Sequence, residues 1–338
     1  VPITDLTIKN NNLIAATQGR SFWMLDDITV FQQLNNNLAQ DIHLFKPMPA
    51  YRMSGGSWGK SKHNGENHPG GVLMYFYLKN KPQKEDTVSL DFYDAKGALI
   101  RKFTTHPDKD NNEGSLKDLK EGINQFSWNM RYEGAESFDG MILWWASLSG
   151  PSALPGSYVA KLSLKGKTVE SPFEIIKDPR SSSSESDLKA QFDFLMSVKD
   201  KLSETNKAVK KIRETRDQMN LVTGKLKDME NVKEVTDTAK FILDKMKVIE
   251  EALYQTKNRS GQDPLNFPVR LNNKLGHLNS LMAMGDYQPT DQAQEFLKEV
   301  SGLIDEQLSA LDKIFKEDIP MFNNLVKAKA IDAVILKE

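Results

Sequence analysis

The first 35 residues constrain this chain most, because they read as three short strands with nothing to bury them. Residues 4–8, 13–17 and 22–25 are alternating or continuous apolar runs, and Asn10-Asn11-Asn12 and Gln18-Gly19-Arg20 supply turn chemistry between them. Three strands of this length need a second layer before they can hold a core. The chain also opens at Val1 with no initiating Met. The expectation is that residues 1–34 end a β-rich domain whose remainder, with the parent's principal active surface, lies outside this sequence.

Composition narrows the remaining choices. The 338 residues leave room for two or three domains. Lys plus Arg (45) nearly balances Asp plus Glu (46), so no whole-molecule field favours nucleic acid or an anionic membrane. The longest apolar runs, residues 71–78 and 142–145, fall far short of the roughly 20 residues needed to cross a bilayer. Cys is absent, which removes disulfides, thiolate catalysis and Cys-based zinc sites.

Chain character changes near residue 180. All five tryptophans precede that point, and Asp178-Pro179-Arg180 followed by Ser181 to Ser184 reads as a hinge. Residues 42–178 carry strand signals: 72–78, then Val88, Leu90 and Phe92, a turn at 94–97, and a return through 99–103. Residues 123–130, 158–164 and 168–176 follow, the last two joined at Lys165-Gly166-Lys167. About seven strands without helical periodicity predict a β-sandwich. Residues 185–338 predict an antiparallel bundle of about four helices. A first seam starts at Leu188, and a second runs from Val232 to Leu253. A short third helix covers 271–282, a fourth is capped by Thr290 and ended or kinked at Pro320, and residues 330–336 form an apolar tail that docks.

These residues resemble a known family. Residues 13–27, which carry Gly19-Arg20-Ser21-Phe22-Trp23 and Leu25-Asp26-Asp27, with residues 44–52 after them, are similar to the closing blade of large bacterial sialidase-like, BNR-repeat or sortilin-type β-propeller proteins, which are often labelled glycosyl hydrolases. Residues 122–132 and 155–162 resemble an Ig-like module of the kind found in flagellar hook-capping proteins, and the helical region opens at the Asp178-Pro179-Arg180 motif. The resemblance implies closing propeller-blade strands at 1–34, an Ig-like β-sandwich at 42–178 and the bundle at 185–338. It also implies an exported bacterial protein whose propeller lies N-terminal to Val1. The sialidase arginine cluster, Tyr/Glu pair and Asp cannot be carried over to any residue here, and no Asp-box occurs.

The candidate sites are few. Asp108, Asp110 and Asn112 space oxygens as a calcium loop does, although a solvated acidic loop is the plainer reading. Trp144 and Trp145, with Trp58, Tyr132 and Phe138 elsewhere, form either a sugar-stacking platform or an interface. The five histidines show no metal spacing, and Glu66 with His63 or His68 in the loop 54–70 is the one acid/base pair to nominate. Lys207, Lys210, Lys211, Arg213 and Arg216 give a basic helix face interrupted by Glu204, Glu214 and Asp217, which reads as a salt-bridged surface. Thr87 and Thr238 fit an Asp-Thr-apolar pattern for O-glycosylation, and Asn258-Arg259-Ser260 is a formal N-glycosylation sequon.

No nucleophile, paired carboxylates or cofactor motif converge, so no catalytic residue, metal or cofactor is expected. The leading expectation is a non-catalytic scaffold and interaction region that contacts its own propeller and offers the bundle to a protein partner. The alternatives are an accessory part of a glycoside hydrolase and a carbohydrate-binding module contacting glycan through the tryptophans.

Overall fold

The computed structural model describes residues 1–34, 40–53, 69–108, 113–226 and 232–329. Its contacts divide the chain into two compact units. One comprises Val1–Glu133 with Pro151–Phe192, the other Gly134–Gly150 with Asp193–Glu338.

The first unit opens with β1 (Ile3–Lys9), β2 (Asn12–Thr17) and β3 (Phe22–Leu25), an antiparallel sheet in the order β1-β2-β3. Lys9 pairs with Asn12, so Asn10 and Asn11 form a two-residue turn at φ 52° and 60°. Asparagine tolerates that left-handed backbone, and such turns match the twist of the flanking strands. A one-turn helix α1 (Thr29–Gln32) follows, then β4 (Ile42–Leu44) and β5 (Ala50–Arg52).

The strands after these are β6 (Val72–Leu78), β7 (Val88–Asp94), β8 (Leu99–Thr104), β9 (Gly114–Ser115), β10 (Gly122–Trp128), β11 (Gly156–Leu164) and β12 (Lys167–Lys177). They form a three-stranded sheet, β10-β6-β4, and a curled six-stranded half-barrel sheet, β5-β12-β11-β7-β8-β9. Alternate residues enter a single core: Met74 and Phe76 from β6, Leu90 and Phe92 from β7, Leu162 from β11, Ile175 from β12. Trp128 lies at its centre, fully buried, stacked on Phe92 with ring centres 4.5 Å apart and donating its indole N–H to the Arg131 carbonyl at 3.1 Å. Gly71 makes room for it, because at φ 92° a Cβ would fall 2.1 Å from the Trp128 carbonyl oxygen.

The second unit is helical. Most of α2 (Glu185–Lys225) packs with α3 (Lys233–Leu253), α4 (Leu271–Met282), α5 (Asp291–Lys313) and α6 (Ile319–Ala328) around a core from Leu195 to Phe322. Thr290 caps α5, its Oγ1 accepting from the Ala293 N–H at 3.2 Å. A π-helical turn, Ile314–Asp318, links α5 to α6 without a break in helical backbone, and Pro320, which has no N–H to donate, follows just after it.

This architecture corrects the expected fold. The chain is mixed α and β, and its described residues show neither a propeller nor an Ig-like sandwich. Period-two patterning identified most strands and the two hairpin partners, β7 with β8 and β11 with β12, but not the pairings between distant segments. β5 pairs in parallel with the end of β12, and β9 in parallel with β8. These parallel edges lengthen one sheet to six strands, which no local turn signal encodes. The N-terminal strands form an open three-stranded sheet, and the helical part has five helices longer than one turn among the described residues.

Candidate interaction surfaces

The N-terminal sheet carries the clearest functional signal. Cross-strand register places Leu6, Ala15 and Trp23 in one row and Ile8, Leu13 and Leu25 in the next, all on the same face. That face holds no polar side chain in either row. The opposite face is mixed, with Asp5, Thr7 and Lys9 on β1 and Phe22 and Met24 on β3. Every residue of β1 and β3 is exposed, and Trp23 shows 66% of its surface to solvent.

The sheet is held at its first turn. The Asn11 carbonyl accepts from Ile28 N–H at 2.8 Å, Asn12 Oδ1 accepts from Asp27 N–H at 3.1 Å, and Asn11 Nδ2 donates to Met48 Sδ at 3.5 Å. Monomeric surfaces scatter single apolar residues, whereas a contiguous apolar plane marks an interface.

A second device sits in the helical unit, on segment 134–150. Trp145 is 74% exposed and has φ 49°, a conformation that bulky residues avoid. Helix α4 holds it there. Asn273 Nδ2 donates to the Trp144 carbonyl at 2.9 Å, and its Oδ1 accepts from Trp144 N–H at 2.6 Å. Asn279 Nδ2 donates to the carbonyls of Ser147 and Ser149 at 3.0 and 2.9 Å, and Ser147 N–H reaches the Gly276 carbonyl at 2.9 Å. His277 Nδ1 lies 2.8 Å from the Trp145 carbonyl. Gly276 is required for this approach, since a Cβ there would lie 2.9 Å from the Ala146 methyl.

The strain is testable. Trp145→Gly and Trp145→Ala both remove the ring, but only glycine occupies φ 49° freely. Urea unfolding is expected to find the Gly variant more stable than the Ala variant by about 1 kcal/mol. Equal stability would show that the backbone stores nothing.

The structure places the other sequence-derived candidates apart. Trp144 and Trp145 lie 6.3 Å apart, tilted by 40°. Tyr132 stacks edge-on with Phe192, and Phe138 with Tyr254. Thr87 is exposed just before β7, and Thr238 is half-buried on α3. Trp58, Asp110, Asn112, His63, Glu66, His68 and the tail 330–336 lie outside the described residues. Glu113 pairs with Lys102 at 2.7 Å and accepts from the Asp108 N–H at 2.9 Å. Among the described residues no group of three acidic or His side chains is placed to hold a metal ion, and no helix is long and apolar enough to cross a membrane.

The basic face of α2 has a role that spacing did not reveal. Arg213 Nε and Arg216 Nη1 donate to Glu250 Oε1 and Oε2 at 2.7 and 2.6 Å, and Lys211 lies over the Phe315 ring. The nearest thing to a tuned acid is Asp91, whose pKa burial raises; Lys102 and the Ser89 hydroxyl pull it back down, and Glu113 adds to the rise. Asp91 Oδ1 is buried without a hydrogen bond.

A raised carboxylate pKa opposes folding where the group is charged. The cost is therefore absent below the unfolded value, builds as pH rises from the unfolded value towards the folded one, and is complete above the folded one. Asp91→Asn is expected to raise the melting temperature at pH 7 and leave it unchanged at pH 3. A gain of the same size at both pH values would assign the effect to packing instead.

No family model matches this chain, and no curated protein matches it either. Among solved structures, one titled pT26-6p is similar at 14% identity over 79% of this chain, with a TM-score of 0.17. The aligned part covers 49% of that structure, so the chain spans about half its length. A likeness that weak carries no argument about fold or activity.

Proposed function

We propose that this chain is a non-catalytic scaffold and interaction region of a larger exported bacterial protein. Its β1–β3 face docks on an apolar sheet of a β-rich neighbouring domain. The observation that carries the reading is the uninterrupted apolar plane of Leu6, Ala15, Trp23, Ile8, Leu13 and Leu25, with its β1 and β3 residues exposed and its β2 residues half-buried. A plane without charge fits another apolar plane, and free edges at β1 and β3 fit a β layer better than a helix groove. Burying its five large side chains is worth on the order of 10 kcal/mol before the cost of association is subtracted. The resemblance of residues 13–27 to BNR-repeat proteins makes a β-propeller the first candidate for that neighbour.

The test is a benzophenone side chain at position 23 in the protein made by its own organism. The expected product is one discrete crosslink to a β-rich segment, lost when Leu6 and Ile8 are both changed to Lys. Crosslinking no stronger than from position 7, on the mixed face, would overturn the proposal.

A further inference from the structure

A second apolar feature of the β-rich unit, beside the anchored first turn of the open sheet, points to a different kind of ligand. Described residues at 27 and within 48–53 and 69–73 line a cleft of about 260 Å³. Met48, Pro49, Tyr51, Met53 and Leu73 line it, together with one carboxylate, Asp27. Tyr51 belongs to β5, the edge of the six-stranded sheet, and Leu73 to the start of β6.

Asp27 is unusual on three counts. Its residue is only 5% exposed, its backbone is left-handed at φ 55°, and it adjoins an otherwise apolar wall. Part of its bonding is local: Oδ1 accepts from the Thr29 N–H at 3.0 Å and from the Thr29 hydroxyl, which opens α1. Both of those bonds end on the same oxygen. Among the described residues no cation pairs with Asp27 or with its half-buried neighbour Asp26. Their negative charge is felt within this unit. The Tyr75 phenol is held above its usual pKa by burial first, and then by Asp27 and Asp26.

A carboxylate in apolar surroundings is costly unless a counter-charge meets it. Local structure supplies Asp27 with hydrogen bonds but no counter-ion. An apolar cavity with one convergent polar group is also the usual form of a small-ligand site. We propose that this cleft binds a small organic cation, an alkylammonium whose stem lies against Met48, Met53 and Leu73 and whose charged head meets Asp27. An anionic or purely aliphatic ligand fits less well, the first by repulsion and the second by leaving the carboxylate without a counter-charge. This site goes beyond the scaffold reading and does not depend on it.

The experiment follows the methyl resonances of Met48, Met53 and Leu73 during titration with n-hexylammonium and, separately, hexan-1-ol, a neutral ligand of the same length. Hexylammonium is expected to shift them at about tenfold lower concentration than the alcohol. Asp27→Asn removes the charge but keeps an acceptor for Thr29 and a side chain tolerated at positive φ. In that variant the two titrations should converge.

Equal titration by both ligands of the unchanged protein would overturn the proposal, and that comparison needs no variant to fold. The proposal also falls if the ammonium preference survives Asp27→Asn, or if the shifts land on methyls away from the cleft. Neither result touches the crosslink expected from position 23, so the two ideas fail separately.

Discussion

Replacing Glu250 by alanine is expected to cost the helical unit about 3–5 kcal/mol of unfolding free energy. Glu250 is 2% exposed on α3 and holds Arg213 and Arg216 of α2 through separate oxygens at 2.7 and 2.6 Å. The Arg213 guanidinium also lies over the rings of Phe138 and Tyr254, at 4.5 and 5.2 Å. The Tyr254 hydroxyl accepts from Ile142 N–H at 3.0 Å, which ties the segment holding Trp145 to the same cluster. Loss of the carboxylate strands two guanidiniums in a half-buried site, and that penalty exceeds the worth of the pair itself.

Glu250→Gln should lose less, because the amide oxygen can keep one of the two bonds. Replacing all three residues by apolar ones of similar volume should restore most of the stability. Urea titration of the helical transition checks both, and a loss below about 1 kcal/mol for the alanine variant would show that solvent already screens the cluster.

The second large effect belongs to the β-rich unit. Trp128→Ala is expected to remove about 3–5 kcal/mol and leave the helical transition in place. No part of Trp128 reaches solvent, and three further rings surround it: Phe92 stacked at 4.5 Å, with Phe173 and Tyr158 edge-on at 6.1 and 6.3 Å. The cavity would be lined by side chains from β7, β11 and β12, which are fixed by their ladders and cannot collapse inward. Trp128→Phe should cost distinctly less, since it keeps the stacking on Phe92 and forfeits the bond to the Arg131 carbonyl. Calorimetry resolves the outcome. A single shared transition, lowered as a whole by the substitution, would contradict independent unfolding.

Several parts of this fold were legible in the residues. The 3-4 seam from Val232 to Leu253 became α3, Thr290 became a hydrogen-bonded cap, and Asn10-Asn11 became a tight turn, because each depends on neighbours within a few positions. The apolar rows of the N-terminal sheet were legible for the same reason, since strand alternation and turn length together set the register. Glu250 was not. Its two arginine partners lie 37 and 34 positions away, and a lone Glu in a helix looks like any solvated one.

By itself, then, the sequence determined where most strands and helices begin and end, and which side of each is apolar. Periodicity and capping are properties of a few consecutive residues. Only the tertiary structure decided that β5 and β9 join the larger sheet in parallel, that α4 dedicates Asn273, Gly276 and Asn279 to holding Trp145, and that Asp27 meets an apolar cleft. Each of those arrangements joins segments far apart in the chain, and pairing between distant segments is chosen by packing and desolvation, which no local pattern records.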